Sequence, residues 1–367
     1  MNRFFYFWSK IVLWFGASAL AAAGAHATTC EFAADNPYGN STANIVAPLT
    51  INSITVGRDL PIGSTVYTQT VNTMKFRVTC TGASTKAHTW PLIMPLPPAS
   101  WSGSYPPGTV YESGVPGIGV ALLTSNQPLP WTGTSLNCEG TPTTICTWTV
   151  NGPITIRLIK TGPVSPGVIQ ASNLPTVQFD YANDNTLTVG RYSFTGSINV
   201  VTQTCKTPDV NVDMGQYRIS AFTGTGSTTP WKDFNIQLQN CPAFYGYSSV
   251  VNSDSTTGWN TKSTLSSNKL QFSLLPATSI IDSTQGVVAI SPTSTGPAAA
   301  TGIGLQIADP SNVPVSFNTV MSSGITPQAT SGANYSIPLR ARYIQTGSAA
   351  PTPGPANTSV MFTINYQ

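Results

Sequence analysis

The last eleven residues of the chain, 357–367, alternate between apolar and polar side chains, and this pattern limits the fold more than any other feature. Alternation with a period of two predicts a half-buried β-strand. Because the strand runs to Gln367, we expect it to tie down a chain end that would otherwise fray. The apolar side chains that share one face are Val360, Phe362, Ile364 and Tyr366.

Short alternating runs bounded by turn residues recur along the rest of the chain, for example at 76–80, 154–158 and 192–194. No long stretch has apolar residues at helical spacing. These patterns predict an all-β protein built as a sandwich or barrel. A segment rich in Ser, Thr and Asn, 247–267, is interpreted as a long loop with one weak strand at most. The length of 367 residues favours two domains.

Residues 1–27 have the organisation of a secretory signal peptide. Two basic residues precede an apolar run over 11–23, and Ala25 and Ala27 provide a small-x-small cleavage site. The run is too short to span a membrane comfortably, which argues against an anchor. We therefore expect export and a mature chain that begins at Thr28.

The mature chain carries almost no net charge. Subtracting the two basic residues of the signal segment from 16 leaves 14 basic against 13 acidic residues, a net charge of +1. This composition lacks the basic patch of a nucleic-acid-binding protein, so we expect no nucleic-acid partner. Regular alternation and eight Trp predict a folded chain although only 8% of residues are charged.

Six cysteines in an exported chain predict disulfide bonds. Spacing favours three pairs: Cys138 with Cys146, Cys205 with Cys241, and Cys30 with Cys80. The first pair flanks a turn-rich stretch, and each member of the second adjoins an alternating strand, which leaves the third. No Cys-x-x-Cys motif occurs and the mature chain has one His, so we expect no metal and no cofactor.

Several short motifs follow one another in the C-terminal part of the chain. Between Cys205 and the final strand they cover residues 210–215, 234–241, 302–309 and 337–343. Each is weak alone, but their order, together with the terminal Tyr-Gln, resembles the pilin domain of chaperone–usher fimbriae over residues 202–367. The two long cysteine pairings also agree with the pattern of that family.

The resemblance implies an incomplete immunoglobulin-like sandwich, which lacks its final strand and exposes a hydrophobic groove beside unpaired backbone groups. In the family, a periplasmic chaperone and then the next pilin subunit supply the strand, with an outer-membrane usher as the third partner. The apolar face of residues 360–366 would line this groove, and the carboxylate of Gln367 would pair with basic residues of the chaperone. Alternation alone does not separate this arrangement from a complete sandwich that closes its own sheet.

The N-terminal part is similar to type 3 fimbrial adhesins at residues 59–64, 76–80, 115–120 and 154–160. We expect the domains to meet near Val201, with an elongated sandwich or barrel over 28–201 and a short linker that allows limited hinge motion. Pilins begin with an alternating arm that fills the next subunit, and Thr28 lies too close to the first cysteine for such an arm. We therefore expect a subunit at the fimbrial tip on the cell surface, with a receptor-binding domain first.

The resemblance implies a host receptor, either a glycan or an extracellular-matrix protein such as collagen. Loops carry recognition in β domains, and aromatic side chains provide large, stiff contact surfaces. The candidates, chosen from a proline-rich stretch and two other loops, are Trp90, Trp101, Tyr105, Trp131, Asp180, Tyr181 and Asn183. Arg157 is expected to stay exposed. Against this, aromatics in β domains more often belong to the core, and the polar residues are more often turn formers.

Enzymatic motifs are absent from the sequence. His88 is the one His of the mature chain, and no nucleophile elbow, zinc-protease motif or phosphate loop occurs, so we expect no enzyme activity. Three hypotheses remain open: a tip adhesin, a structural tip or adaptor subunit without significant receptor binding, and a secreted β-rich hydrolase that only looks pilin-like.

Overall fold

The computed structural model describes residues 29–81, 86–135, 145–182, 185–254 and 259–367. Regular structure in these ranges is almost entirely β, which confirms the all-β prediction. Within the same ranges, no helix has the length and apolar character needed to cross a membrane. The predicted signal peptide lies outside the described residues.

The N-terminal part is built from short strands that alternate with turns. They are β1 (Cys30–Phe32), β2 (Ala43–Pro48), β3 (Ser53–Thr55), β4 (Thr65–Asn72), β5 (Phe76–Thr81), β6 (Lys86–Trp90), β7 (Leu92–Ile93), β8 (Tyr111–Glu112), β9 (Ile118–Thr124), β10 (Gln127–Pro128), β11 (Trp131–Ser135), β12 (Ile145–Val150), β13 (Ile154–Lys160), β14 (Gly167–Gln170), β15 (Thr176–Ala182), β16 (Thr186–Thr195) and β17 (Ser197–Val201). A 3-10 turn, Ala171–Asn173, separates β14 from β15.

Three small or medium sheets of this part have the strand orders β1-β5-β12, β11-β6-β15-β16-β2 and β14-β17-β3. A fourth sheet contains β10-β9-β13-β4. Residues of one parity in β13, Ile154, Ile156 and Leu158, are buried in the main core, as their alternation predicts. β9 is buried along its whole length, because the segment 97–110 covers its outer face.

The C-terminal part contains a second set of strands. They are β18 (Lys232–Cys241), β19 (Tyr247–Asp254), β20 (Asn260–Ser266), β21 (Leu270–Pro276), β22 (Ile280–Asp282), β23 (Val287–Ala289), β24 (Ile303–Ala308), β25 (Met321–Ser322), β26 (Ala333–Gln345) and β27 (Val360–Tyr366). A 3-10 turn, Ile219–Ala221, precedes them. The sheets β18-β26-β24-β23-β22 and β25-β21-β27 enclose a second core.

Two predicted disulfides are present, Cys30–Cys80 in the N-terminal part and Cys205–Cys241 in the C-terminal part. The first joins facing positions of β1 and β5. The second connects the segment after β17 to the end of β18. Cys138 lies outside the described residues, so its pairing with Cys146 stays a prediction.

The segment 247–267 differs from the loop expected from its composition. Its strands β19 and β20 form an antiparallel hairpin, and β19 pairs in parallel with β4 of the N-terminal part, with Val250 opposite Thr68. The hairpin thus extends a sheet of the other part. The two main clusters of buried residues lie on either side of Val201, but a domain boundary at that residue stays a prediction.

The two parts meet in a buried hydrogen-bond network around Thr55 and Asn268. The side-chain amide of Asn268 donates to the main-chain oxygen of Thr55 at 2.9 Å and accepts from the N–H of Gly246 at 2.9 Å. The Thr55 hydroxyl donates to the main-chain oxygen of Ala243 at 2.9 Å and accepts from the N–H of Tyr245 at 3.0 Å. Both side chains are buried, so the bonds keep polar groups satisfied and fix how the parts join.

Replacing Asn268 with Ala tests this junction. The variant leaves the buried N–H of Gly246 without the amide oxygen that accepts from it, so we expect a loss of about 2 kcal/mol in the free energy of unfolding. Urea unfolding of the full chain measures the loss. The control is Asn235→Ala at an exposed position of β18, with an expected change within about 0.5 kcal/mol. Equal stability of the two variants would contradict the role given to Asn268.

Candidate functional site

The final strand, β27, pairs with β21 along one edge and with no other strand of the described chain along its second edge. Lys269 and Gln367 exchange both main-chain hydrogen bonds, at 2.6 and 2.9 Å. In an antiparallel ladder, residues bonded in this way alternate with residues whose groups point outward. The main-chain groups of Thr363 therefore face β21, whereas those of Phe362 and Ile364 face the second edge. We call this second edge, over Val360–Tyr366, the open edge.

The residues whose main-chain groups point to the open edge have apolar side chains. These side chains are less buried toward the start of β27. Tyr366 and Ile364 are 4% and 6% exposed, whereas Phe362 and Val360 are half-buried. All four lie in the C-terminal core or pack against it. The face defined by the sequence alternation is therefore the inner face of β27, and the core beneath Val360 and Phe362 is incompletely covered.

The segment that follows Cys205 begins with a two-bond bridge from Lys206 to Gln239 of β18 and contacts the end of β27. The N–H of Cys205 donates to the hydroxyl of Tyr366 at 3.1 Å. Residues 207–218 form neither strand nor helix, although several of their side chains pack on the same core. At the other end of β27, a cavity of about 420 Å³ is lined by Tyr217, Phe222 and the residues just before the strand. The half-buried side chains of Val360 and Phe362 thus lie beside main-chain groups that have no strand partner in the described chain.

The N-terminal part covers the last stretch of the open edge through Arg58 and Asp59, which we call the clasp. The N–H of Asp59 donates to the carbonyl oxygen of Tyr366 at 3.1 Å, and its carboxylate accepts from the N–H of Tyr366 at 3.0 Å. The guanidinium of Arg58 donates to the carbonyl oxygen of Ile364 at 3.0 Å and pairs with the Asp59 carboxylate at 3.0 Å. The clasp therefore satisfies the groups that a neighbouring strand would otherwise bind.

Two residues of the N-terminal part hold the clasp against β27. The ammonium group of Lys160, which is only 3% exposed, donates to the main-chain oxygens of Gly57 at 3.0 Å and Arg58 at 2.6 Å. Gly57 lies so close to Tyr366 that a Cβ atom would overlap the carbonyl group there. Glycine is required because the two backbones touch.

The charges of the clasp are stabilised by one another. Burial alone would raise the pKa of Asp59, but hydrogen bonds from Arg58 and Tyr366, with the charges of Arg58 and Lys160, lower it overall. Burial lowers the pKa of Lys160, and the charge of Asp59 opposes that shift. The Asp59 carboxylate is thus held in its ionised, hydrogen-bond-accepting form.

A second candidate surface lies on the outer face of β9 and β13 and consists of Trp101, Tyr105, Asn126 and Arg157; we call it the aromatic surface. Both aromatic rings are half-buried over a small apolar cluster, formed by Val110, Ala121, Leu123 and Ile159. The guanidinium of Arg157 donates to the Tyr105 hydroxyl at 3.3 Å and to the Asn126 side chain at 3.4 Å. The surface therefore combines aromatic area with hydrogen-bonding groups and a positive charge.

Three predicted receptor contacts lie in the core, which corrects their assignment. Trp90 is 2% exposed and stacks on Phe179 with ring centres 4.1 Å apart. Tyr181 is fully buried, and Asp180 is 5% exposed and accepts from the Gln178 amide at 2.9 and 3.0 Å. β15 is a central strand of its sheet, and a register shift between Phe179 and Asp180 accompanies the burial of the consecutive residues Phe179, Asp180 and Tyr181. These residues stabilise the fold and cannot reach a receptor.

The other predicted contacts have different positions. Trp131 is half-buried on the edge strand β11, where its ring centre lies 5.3 Å from that of His88. Burial lowers the pKa of His88, which favours the neutral imidazole. Asn183 lies outside the described residues, so its role stays a prediction. Trp131 is not part of the aromatic surface, because β11 belongs to a different sheet from β9 and β13.

Sequence reasoning missed the clasp and the part that Asn126 takes in the aromatic surface. Arg58 and Asp59 are adjacent in the chain, and their partner Ile364 is 306 residues from Arg58. Nothing in the local sequence indicates so distant a partner. Asn is a turn-forming residue, so Asn126 could have indicated a loop after β9 from the sequence alone. In the structure its φ is 67°, as such turns allow.

The pKa of Asp59 gives a pH dependence with a defined sign. Because the folded-state pKa is lowered from the ordinary 3.8, its contribution is present above pH 3.8 and is lost as the pH falls through the lower folded value. We expect the amide of Tyr366 to exchange faster with solvent as the clasp is protonated, measured by hydrogen exchange across this acid range. Asp59→Asn should remove this acid-dependent increase in the exchange rate of the Tyr366 amide. If the increase persists in Asp59→Asn, the Asp59 carboxylate is not its cause.

Comparisons with known proteins agree with this architecture. A family model described as Fimbrial protein matches residues 192–367. The type-1 fimbrial protein A chain of Salmonella typhi is 30% identical over 163 residues, covering 44% of this chain and 73% of the relative.

Two solved structures are also similar in part. The receptor-binding domain of the adhesin MrkD1P of Klebsiella pneumoniae is 20% identical with a TM-score of 0.33, covering 49% of this chain and 98% of that one. The CupB6 tip adhesin of Pseudomonas aeruginosa is 14% identical with a TM-score of 0.34, covering 92% and 94%. The chain belongs to the fimbrial protein family.

Proposed function

We propose that this protein is a fimbrial tip adhesin, whose C-terminal part anchors it to the fimbria and whose N-terminal part binds a receptor on the host surface. The observation that carries the proposal is the open edge of β27, where main-chain groups of Val360 and Phe362 have no strand partner among the described residues and lie beside half-buried apolar side chains. Such an edge aggregates unless another strand pairs with it. The proposed ligand is a β-strand of another subunit.

Strand addition would use both the outward main-chain groups of β27 and its half-buried apolar side chains. A donated strand would pair with the outward N–H and C=O groups of β27, while its alternate apolar side chains would complete the cover over Val360 and Phe362. The proposed donors are a periplasmic chaperone during export and the next pilin subunit in the fimbria, with an outer-membrane usher as the site of assembly. Gln367 lies at the end of the strand, and its carboxylate is the proposed contact for basic residues of the chaperone.

Receptor binding is proposed for the aromatic surface. Half-buried Trp101 and Tyr105 offer stiff contact area, which stacks well on sugar rings or on prolines of collagen. Arg157 and Asn126 add hydrogen-bonding groups beside the rings. The proposed receptor is therefore a host glycan or an extracellular-matrix protein, and the proposed location is the distal end of a fimbria on the cell surface.

A second candidate function is a structural tip or adaptor subunit without significant receptor binding. It is favoured by the packing of Trp101 and Tyr105 over the cluster that contains Leu123 and Ile159. That packing stabilises the outer face of β9 and β13 whether or not a receptor exists. Receptor screening distinguishes the two functions.

The anchoring proposal is tested by Phe362→Asp with Thr363→Asp as the matched control. The two positions are adjacent on β27, but Phe362 packs on the core whereas Thr363 is exposed. A carboxylate packed against the core at position 362 would cost about 3 kcal/mol or more without a partner. The full chain is refolded with a synthetic peptide that has valine at every second position and threonine between, and soluble complex is measured. We expect complex with wild type and Thr363→Asp and none with Phe362→Asp.

Two results would contradict strand acceptance. One is a wild-type chain that refolds to a soluble monomer with the same stability with and without peptide. The other is an equal yield of complex from Phe362→Asp and Thr363→Asp.

The receptor proposal is tested with the peptide-bound full chain on a panel of glycans and matrix proteins, including collagen. We expect saturable binding that weakens by about tenfold or more in Trp101→Ala and in Arg157→Gln. Arg157→Gln keeps the ring packing, which separates lost contact from lost stability. Val46→Ala is the control, because Val46 is exposed on the distant strand β2. Unchanged binding in both surface variants would exclude this site, and no binding across the panel would favour the structural subunit.

A further inference from the structure

The clasp occupies one end of the edge on which a donated strand would form. The two main-chain groups of Tyr366 and the carbonyl oxygen of Ile364 are already bonded to Arg58 or Asp59. The groups left on the same edge are the N–H and C=O of Val360 and Phe362 and the N–H of Ile364. Main-chain pairing from outside is therefore restricted to the stretch from Val360 to Ile364.

The geometry of the clasp is that of a short piece of neighbouring strand. Asp59 binds both the N–H and the C=O of Tyr366, which is how an antiparallel strand residue binds its partner, except that a side-chain oxygen replaces the carbonyl. The guanidinium of Arg58 takes the next outward carbonyl oxygen along β27. The clasp thus satisfies the N–H and C=O groups of Tyr366 and the C=O group of Ile364.

The N-terminal part is built to hold the clasp in this position. Lys160 is buried and bonds the two carbonyl oxygens that precede Asp59, and Gly57 permits the backbones to touch. Asn268, which joins the parts nearby, also donates to a terminal oxygen of Gln367 at 3.5 Å. The clasp bonds to Ile364 and Tyr366 therefore anchor the end of β27 to the N-terminal part, and Asn268 connects the same end to Thr55.

We propose that the clasp is the stop for the donated strand: the partner strand pairs with β27 only from Val360 to Ile364, and its end abuts Arg58 and Asp59 of the N-terminal part. This inference rests on the proposed strand acceptance and adds its length and register. A partner strand that extended farther would have to displace the bonds of the clasp to Ile364 and Tyr366. The N-terminal part therefore sets one end of the site at which the donated strand binds.

The test uses three synthetic peptides and the full chain. The reference peptide alternates valine and threonine, and the other two carry one more Val-Thr step at the amino or the carboxyl end. Gly57→Ala displaces the clasp by steric overlap with Tyr366. A second variant, Arg58→Ala with Asp59→Ala, removes its side chains if Gly57→Ala fails to fold. The control is Asp233→Ala, which removes an exposed ion pair to Arg340 at 2.8 Å, remote in the fold from the clasp.

The rates at which the peptides dissociate show whether the clasp limits the length of the donated strand. We expect one of the two extensions to slow dissociation by about tenfold in a clasp variant, because it gains two main-chain hydrogen bonds, and to leave the rate within about twofold in wild type and Asp233→Ala. Equal effects of both extensions in all proteins would overturn the stop while strand acceptance stands. If no peptide binds to any of the proteins, the proposed strand acceptance fails and the stop fails with it.

Discussion

The structure depends on the main-chain hydrogen bonds that β27 makes on one edge and offers on the other. The main-chain groups of alternate residues are satisfied by β21, and those of the residues between them point to the open edge. In the described chain no strand pairs with the N–H and C=O groups beside half-buried Val360 and Phe362, and an exposed edge of this kind is a template for association with another chain. The same arrangement becomes useful in a protein that is joined to others by strand addition.

The junction between the two parts is polar, specific and connected to this edge. Thr55, Gly57, Arg58 and Asp59 of the N-terminal part all bond to the C-terminal part or touch it within one short stretch. β19 adds a parallel strand to β4, so the parts also share a sheet. Motion of one part would therefore have to break buried hydrogen bonds, which cost more to leave unmade than exposed ones. This arrangement links the open edge of β27 to the position of the N-terminal part.

Local patterns predicted much of the fold and less of the sites. The all-β class and the inner face of β27 follow from a period of two, which acts over a few neighbouring residues. Trp90 and Trp101 show the limit, since both lie in or beside a proline-rich stretch, yet one stacks in the core and the other lies half-buried over β9. The pairing of β19 with β4 joins polar segments far apart in sequence, and the clasp joins Arg58 to Ile364. Contacts of this kind depend on tertiary packing, which the local pattern does not encode.

The central claim is that no strand of the described chain pairs with the open edge of β27. Hydrogen exchange at single amides of the full chain, before and after addition of the valine–threonine peptide, tests it most directly. We predict that the amides of Phe362 and Ile364 exchange fast in the free chain and become protected with peptide, while the amide of Thr363, bonded to β21, is protected in both. Strong protection of Phe362 and Ile364 in the free chain would contradict the account, because it would mean that the edge is already paired.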